Sequence, residues 1–139
     1  EAKALELLRQ RGAAIAEQRQ GRATGQGRIE SYIHHNGRIG SLLEVNCETD
    51  FVARTPEFLQ FCRDVAMQVA AMSPRYLRPE DVPAAERINP EALQEACLLE
   101  QPFVKDQGST VKELLNTLIA KTGEQVVIRR FVKFGVGES

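Results

Sequence analysis

The sequence predicts an α+β domain: a three-stranded antiparallel sheet with helices mainly on one face. Three observations predict it. Two alternating segments, Arg28 to His35 and Arg38 to Cys47, flank Asn36-Gly37, the dipeptide that best tolerates the positive φ angles of a two-residue hairpin turn. Helix-start signals recur along the chain, each followed by apolar residues at helical spacing. The chain closes on an extended run, Gln125 to Val136, with apolar residues in both phases. Its 139 residues, 42% hydrophobic and 27% charged, are enough for one domain with a buried core.

Ala2 to about Arg19 is rich in Ala, Leu, Glu and Arg, which favour helix. Leu5, Leu8, Gly12 and Ile15 form a rough stripe that Gly12 interrupts. Gly21 to Gly27 is a glycine-rich linker; its Gly25-Gln26-Gly27 lacks the Lys-Ser/Thr and the following helix of a phosphate loop. In the hairpin, Ile39, Leu43, Val45 and Cys47 share one face, and Tyr32 and Leu42 are read in the opposite phase from Ile33 and Leu43. His34 and His35 point to opposite faces and do not converge as metal ligands, so no metal site is expected.

Thr55-Pro56-Glu57 combines an N-cap, a proline at the first helical position and an acid in the first turn. Phe58, Phe61, Cys62, Val65, Val69 and Met72 follow as one stripe, ended by Ser73-Pro74. Pro74 to Pro83 reads as an irregular connection. Asn89-Pro90-Glu91 starts a shorter helix expected to run to about Glu100, before Pro102. Thr110 and Glu113 make a capping box, and Gly123 suits the residue just past the helix end. In the last strand, Val126, Ile128, Val132 and Phe134 are assigned to one face and Val127 and Phe131 to the other.

A sheet covered by its own helices needs only one apolar face. The second face calls for cover, and another copy of the sheet supplies it. A homodimer through the outer sheet face is therefore expected, with Val127, Phe131, Tyr32 and Leu42 at the interface. The alternative is that Val132 and Phe134 line the interface and the opposite face packs on the helices.

A net charge of -1 argues against a broad nucleic-acid surface, which would be basic. No apolar run has the length of a membrane span and no signal peptide is present. The expected location is cytoplasmic, with neither nucleic acid nor membrane as partner. Cys47, Cys62 and Cys97 form no C-x-x-C pair and read as free thiols in apolar positions. No H-E-x-x-H, G-x-S-x-G or Walker loop occurs. No enzyme and no cofactor are expected. The competing functions are a regulatory binding module, a structural oligomerisation domain and a cryptic enzyme.

Leu43 to Arg54 separates these classes. Its first half alternates as a buried strand. Its second half is a polar turn with Phe51 at the tip between Asp50 and Val52. Such a phenylalanine is either a core anchor or a probe for another protein. The run E-V-N-C-E-T-D-F-V-A-R resembles the signature of elongation factor Ts, the guanine-nucleotide exchange factor for the translational GTPase EF-Tu. Glu1 to Gly12 resembles the end of that family's N-terminal helical region, and Gly21 to Glu44 its first hairpin. Cys97 to Val104 and Gly123 to Phe131 are similar to two further family motifs, in the family's order.

The resemblance implies exchange activity on GDP-bound EF-Tu. Thr49, Asp50, Phe51 and Val52 would form a wedge entering the GTPase near its magnesium site. Asp50 would perturb the magnesium ligands and switch region, Phe51 would insert between partner helices, and Thr49 and Val52 would set the turn. It also implies a division into residues 1–27, the end of the helical region and its linker, and 28–139, the core exchange and dimerisation domain. Glu1 falls in mid-helix, so the chain reads as a fragment lacking most of the family's N-terminal helical module. Its length leaves room for one core subdomain where longer members have two, which again implies pairing of chains. The competing reading is a structural dimerisation domain without exchange activity of its own.

Overall fold

The hairpin signal places two strands side by side. In the computed structural model, which describes residues 2–87 and 89–138, β1 (Gln26–Ile33) and β2 (Ile39–Cys47) pair antiparallel from Gln26↔Cys47 to Ile33↔Gly40. Gly37 takes φ 70° in the turn, and the Asn36 side chain accepts from the backbone N–H of Arg38. The last strand pairs antiparallel with the free edge of β2, giving the order first, second, last. The expected three-stranded antiparallel sheet is therefore present.

The α-helices that follow β2 begin at side-chain caps. α1 spans Ala2–Gln18, and a single turn, α2, spans Asp50–Ala53. α3 (Pro56–Met72) starts at Thr55, whose hydroxyl accepts from Phe58 N–H, and ends at Ser73 with φ 51°. α4 spans Pro90–Ala96, and α5 (Val111–Thr122) starts at the reciprocal Thr110–Glu113 box and ends at Gly123 with φ 73°. α3 and α5 lie on one face of the sheet. Phe58, Val65 and Val69 of α3 and Leu118 and Ile119 of α5 close over Leu43 and Val45 in one core.

α4 is shorter than expected. Cys97 is extended (φ −105°, ψ 120°) and bridges Tyr76, so the chain continues as a 3₁₀ turn over Leu98–Glu100 rather than as helix. A small hairpin follows that periodicity did not reveal: β3 (Pro102–Phe103) and β4 (Asp106–Thr110). It is tied down by fully buried Gln68. That amide donates to the Gln101 side chain (3.0 Å) and to the Pro102 carbonyl (3.1 Å), and accepts from Val104 N–H (2.9 Å). A buried amide with every polar atom paired fixes the segment without a desolvation penalty. Gln101-Pro102-Phe103 thus has a structural role.

Gly12 is a crossing point rather than a break. A Cβ there would lie 1.7 Å from the carbonyl oxygen of Asn116, so only glycine lets α1 rest on α5 at this spot. Arg9 and Glu113 pair across the same contact at 3.3 Å.

The last strand, β5 (Val126–Gly135), corrects the face assignment. Val45 pairs with Ile128 but Glu44 pairs with Arg130, leaving Arg129 as an extra bulged residue. One inserted residue reverses the side-chain alternation beyond it. Phe131 therefore packs against the helix-side core, while Val132 and Phe134 face outward. Tyr32 lies opposite Ser41, on the side of Leu43, and also packs against the core. Of the residues assigned to the outer face, Leu42 stands exposed there and Val127, opposite Asn46, is half-buried. Ile29 and Ile33 join Leu42, Val132 and Phe134 as exposed outer-face side chains.

Candidate functional site: the turn after β2

The strand β2 ends on buried Cys47, and the chain then reverses within a few residues into α3. The reversal is a capped turn. Thr49 is extended (φ −127°, ψ 152°) and its hydroxyl accepts from Val52 N–H at 3.3 Å, so it N-caps α2. The Cys47 thiol donates to the Thr49 carbonyl at 3.1 Å. Thr55 follows immediately as the cap of α3, its hydroxyl also donating to the Val52 carbonyl.

The two halves of the turn face different environments. Val52 and Ala53 are buried and belong to the core cluster. Phe51 is 78% exposed. An exposed aromatic beside a buried valine is not a core anchor. The core reading of Phe51 is thereby set aside, and Phe51 is available to another molecule. Asp50 pairs with Arg54 one turn later at 2.6 Å, with both side chains largely in solvent. Exposure keeps that pair weak and exchangeable.

Sequence reasoning placed the turn and missed what braces it. Glu124 Oε1 accepts from Glu48 N–H and Thr49 N–H, both at 3.1 Å, and its Oε2 accepts from the Thr49 hydroxyl at 2.7 Å. In return, Gln125 N–H donates to the Glu48 carboxylate at 2.6 Å. Arg19, just past α1, donates to both Glu48 oxygens at 2.8 and 3.1 Å, and Arg22 stands 3.5 Å away. The Gln125 amide, followed by the two arginines, holds the Glu48 carboxyl below the usual carboxylate range against the opposing effect of partial burial. Glu124 directly follows the glycine that ends α5, but its position opposite Thr49 depends on the β2–β5 register, which no local pattern encodes.

Other candidates lie apart from this turn. The His34 ring bonds the Tyr32 hydroxyl at 3.1 Å and stacks obliquely near exposed His35. Arg130 pairs with Glu44 across the outer face at 2.7 Å, while Arg129 occupies the bulge. The three thiols are buried and free; burial pushes Cys47 to about 11 and Cys62 to about 12. No described helix is long and apolar enough to cross a membrane.

Comparison with known proteins converges on one family. The family described as elongation factor TS matches residues 2–91. The elongation factor Ts of Rubrobacter xylanophilus is 49% identical over 155 residues, covering 92% of this chain and 80% of that protein. That of Carboxydothermus hydrogenoformans is 48% identical over 163 residues, covering 98% and 75%. That of Thermotoga neapolitana is 48% identical over 161 residues, covering 98% and 82%. Aligned stretches longer than the 139 residues of this chain mean that these relatives carry internal residues it lacks. With these matches added to the motif and its exposed turn, the chain belongs to the elongation factor Ts family.

Proposed function

We propose that this chain promotes GDP release from EF-Tu by inserting the Thr49-Asp50-Phe51-Val52 turn near the magnesium site of the GTPase, without catalysing a covalent reaction itself. The observation that carries this reading is Phe51, 78% exposed on a turn whose next two residues are buried. The turn is anchored at Val52 and presented at Phe51. Thr49 shapes it as the cap, and Asp50, free to leave Arg54, supplies a carboxylate for the metal-ligand and switch region.

Exchange requires that factor and nucleotide each weaken the other's binding by the same coupling free energy. Burying one Phe side chain contributes roughly 1.5–3 kcal/mol, or one to two decades. Phe51 therefore acts together with Asp50 and with docking over a wider surface. The test is release of fluorescent GDP from EF-Tu, measured beside a melting curve. Phe51→Ala and Asp50→Ala should slow release by about ten-fold or more, the order of one buried side chain, with little change in melting temperature. Normal release by folded Phe51→Ala would overturn the wedge.

The outer sheet face supports a second assignment, a homodimer. Ile29, Ile33, Leu42, Val132 and Phe134 stand exposed on one face of a sheet whose other face is covered. Five large apolar side chains on one surface mark an interaction site rather than scattered exposure. Pairing alone would also serve the structural reading, in which the chain dimerises without driving exchange. Exposed Phe51 favours exchange, because a scaffold gains nothing from an aromatic held in water.

A further inference from the structure

We propose that Glu124 is the positioning residue of the wedge turn, holding Phe51 in its presenting direction through Thr49. This inference rests on the exchange reading above and adds to it a residue outside the turn, 73 positions further along the sequence than Phe51.

Phe51 stands largely in water. With 78% of the residue in solvent, its ring has little packing to fix its direction. The direction must come from the backbone that carries it. On the C-terminal side that backbone is held by burial of Val52 and Ala53. On the N-terminal side the Cys47 thiol holds the Thr49 carbonyl at 3.1 Å, and the Glu124 carboxylate gathers the N–H and hydroxyl groups of the turn. Glu124 takes the N–H groups of Glu48 and Thr49 on one oxygen and the Thr49 hydroxyl on the other. That same hydroxyl accepts from Val52 N–H, so the cap is oriented by Glu124: its proton points at the carboxylate and its lone pair at the helix. Charge-assisted bonds of this kind are the stronger class.

Glu124 is itself held in place. Gly123 ends α5 in the left-handed conformation, with its N–H on the Ile119 carbonyl at 2.8 Å, and Glu124 N–H donates to the Thr122 hydroxyl at 3.3 Å. The return bond from Gln125 to Glu48 closes the clamp. The turn is thus fastened to the end of α5 and the start of β5 rather than left as a free loop. A pre-ordered wedge loses less conformational freedom on insertion than a mobile one.

The consequence is specific. Docking over the rest of the surface sets the concentration at which the factor half-saturates its GTPase. Wedge order sets the fraction of docked complexes with the turn inserted. Glu124→Ala should therefore lower the saturated rate of GDP release, on the order of ten-fold if one or two backbone residues are freed, and leave half-saturation nearly unchanged. Glu124→Gln keeps an oxygen for the two N–H groups but removes the acceptor of the Thr49 hydroxyl, and should give a smaller loss. A merely structural role behaves differently: a less folded sample shifts apparent half-saturation and leaves the plateau alone.

The experiment titrates the full chain against EF-Tu loaded with fluorescent GDP, for wild type, Glu124→Ala, Glu124→Gln, Phe51→Ala and the double variant Glu124→Ala/Phe51→Ala. The expected result is a lowered plateau for both Glu124 variants and no further loss when Glu124→Ala is added to Phe51→Ala, because residues acting through one element are non-additive. An unchanged plateau in both Glu124 variants overturns the proposal, as does a full additional loss in the double variant. If Glu124→Ala fails to fold, the plateau of Glu124→Gln decides. If Phe51→Ala itself leaves the plateau unchanged, the exchange reading falls and this inference falls with it; if only the Glu124 variants are normal, the exchange reading stands alone.

Discussion

Phe51 and Phe58 are seven positions apart and occupy opposite environments, the first 78% exposed and the second fully buried. Truncating a buried phenylalanine costs about 3–5 kcal/mol, so Phe58→Ala is the stability control for Phe51→Ala. The cysteines follow the same logic. Cys47, Cys62 and Cys97 are all inside, and burial raises each thiol pKa, Cys62 to about 12. A thiolate is the reactive form, so these groups are protected both sterically and electrostatically. Native protein at pH 8 should react with a thiol reagent far more slowly than the denatured chain, which should titrate all three. Rapid reaction of one thiol in the native state would contradict its burial. At this scale part was legible in advance: Leu43 to Arg54 reads as a strand followed by a polar turn with Phe51 at its tip, and cysteines at apolar phase read as core. Glu124 was not. Its partners at Glu48 and Thr49 are joined to it only by tertiary register.

Helix starts were legible because Thr55, Asn89 and Thr110 each satisfy orphan N–H groups locally, and local chemistry is what a sequence displays. The bulge at Arg129 was not, since nothing in Ile128-Arg129-Arg130 marks which residue is left unpaired. That omission reversed the faces assigned to Phe131, Val132 and Phe134. Gly12 was misread for a similar reason: its lack of a side chain matters only because Asn116 lies against it. The join between α1, β2 and β5 at Glu48 makes a pH prediction. Its carboxyl lies below the ordinary value of 4.5 in the folded chain, chiefly through the Gln125 amide and then Arg19 and Arg22. A depressed folded pKa contributes stability above the unfolded value, and that contribution is lost as pH falls through the folded one. Melting temperature should drop as pH is lowered below about 4.5. Glu48→Gln should start lower at pH 7 and descend less steeply. Parallel curves for the two proteins would remove Glu48 from the account.

The whole molecule has one face of its sheet covered by α3 and α5 and the other left apolar. The sequence showed that the last strand is apolar on both sides, which was enough to expect a partner. Only the bulge says which side chains face outward. In a two-fold interface each substitution appears twice, so one charged residue per chain places two charges in the contact. Burying such charges unpaired is costly. On the proposed homodimer, the parent chain should sediment as a dimer at micromolar concentration, and Phe134→Glu or Val132→Glu should give a folded monomer. Both residues are exposed in the single chain, so melting of the separated monomer should owe nothing to the substitution itself. Phe131→Glu supplies the contrast. It puts the same charge on the helix side of the same strand, against the core, and should unfold the chain rather than dissociate it. Sedimentation velocity with circular dichroism reads both effects. A Phe134→Glu protein that stays dimeric would remove the outer face from the interface. A Phe131→Glu protein that becomes a well-folded monomer would restore the alternation that the bulge reversed.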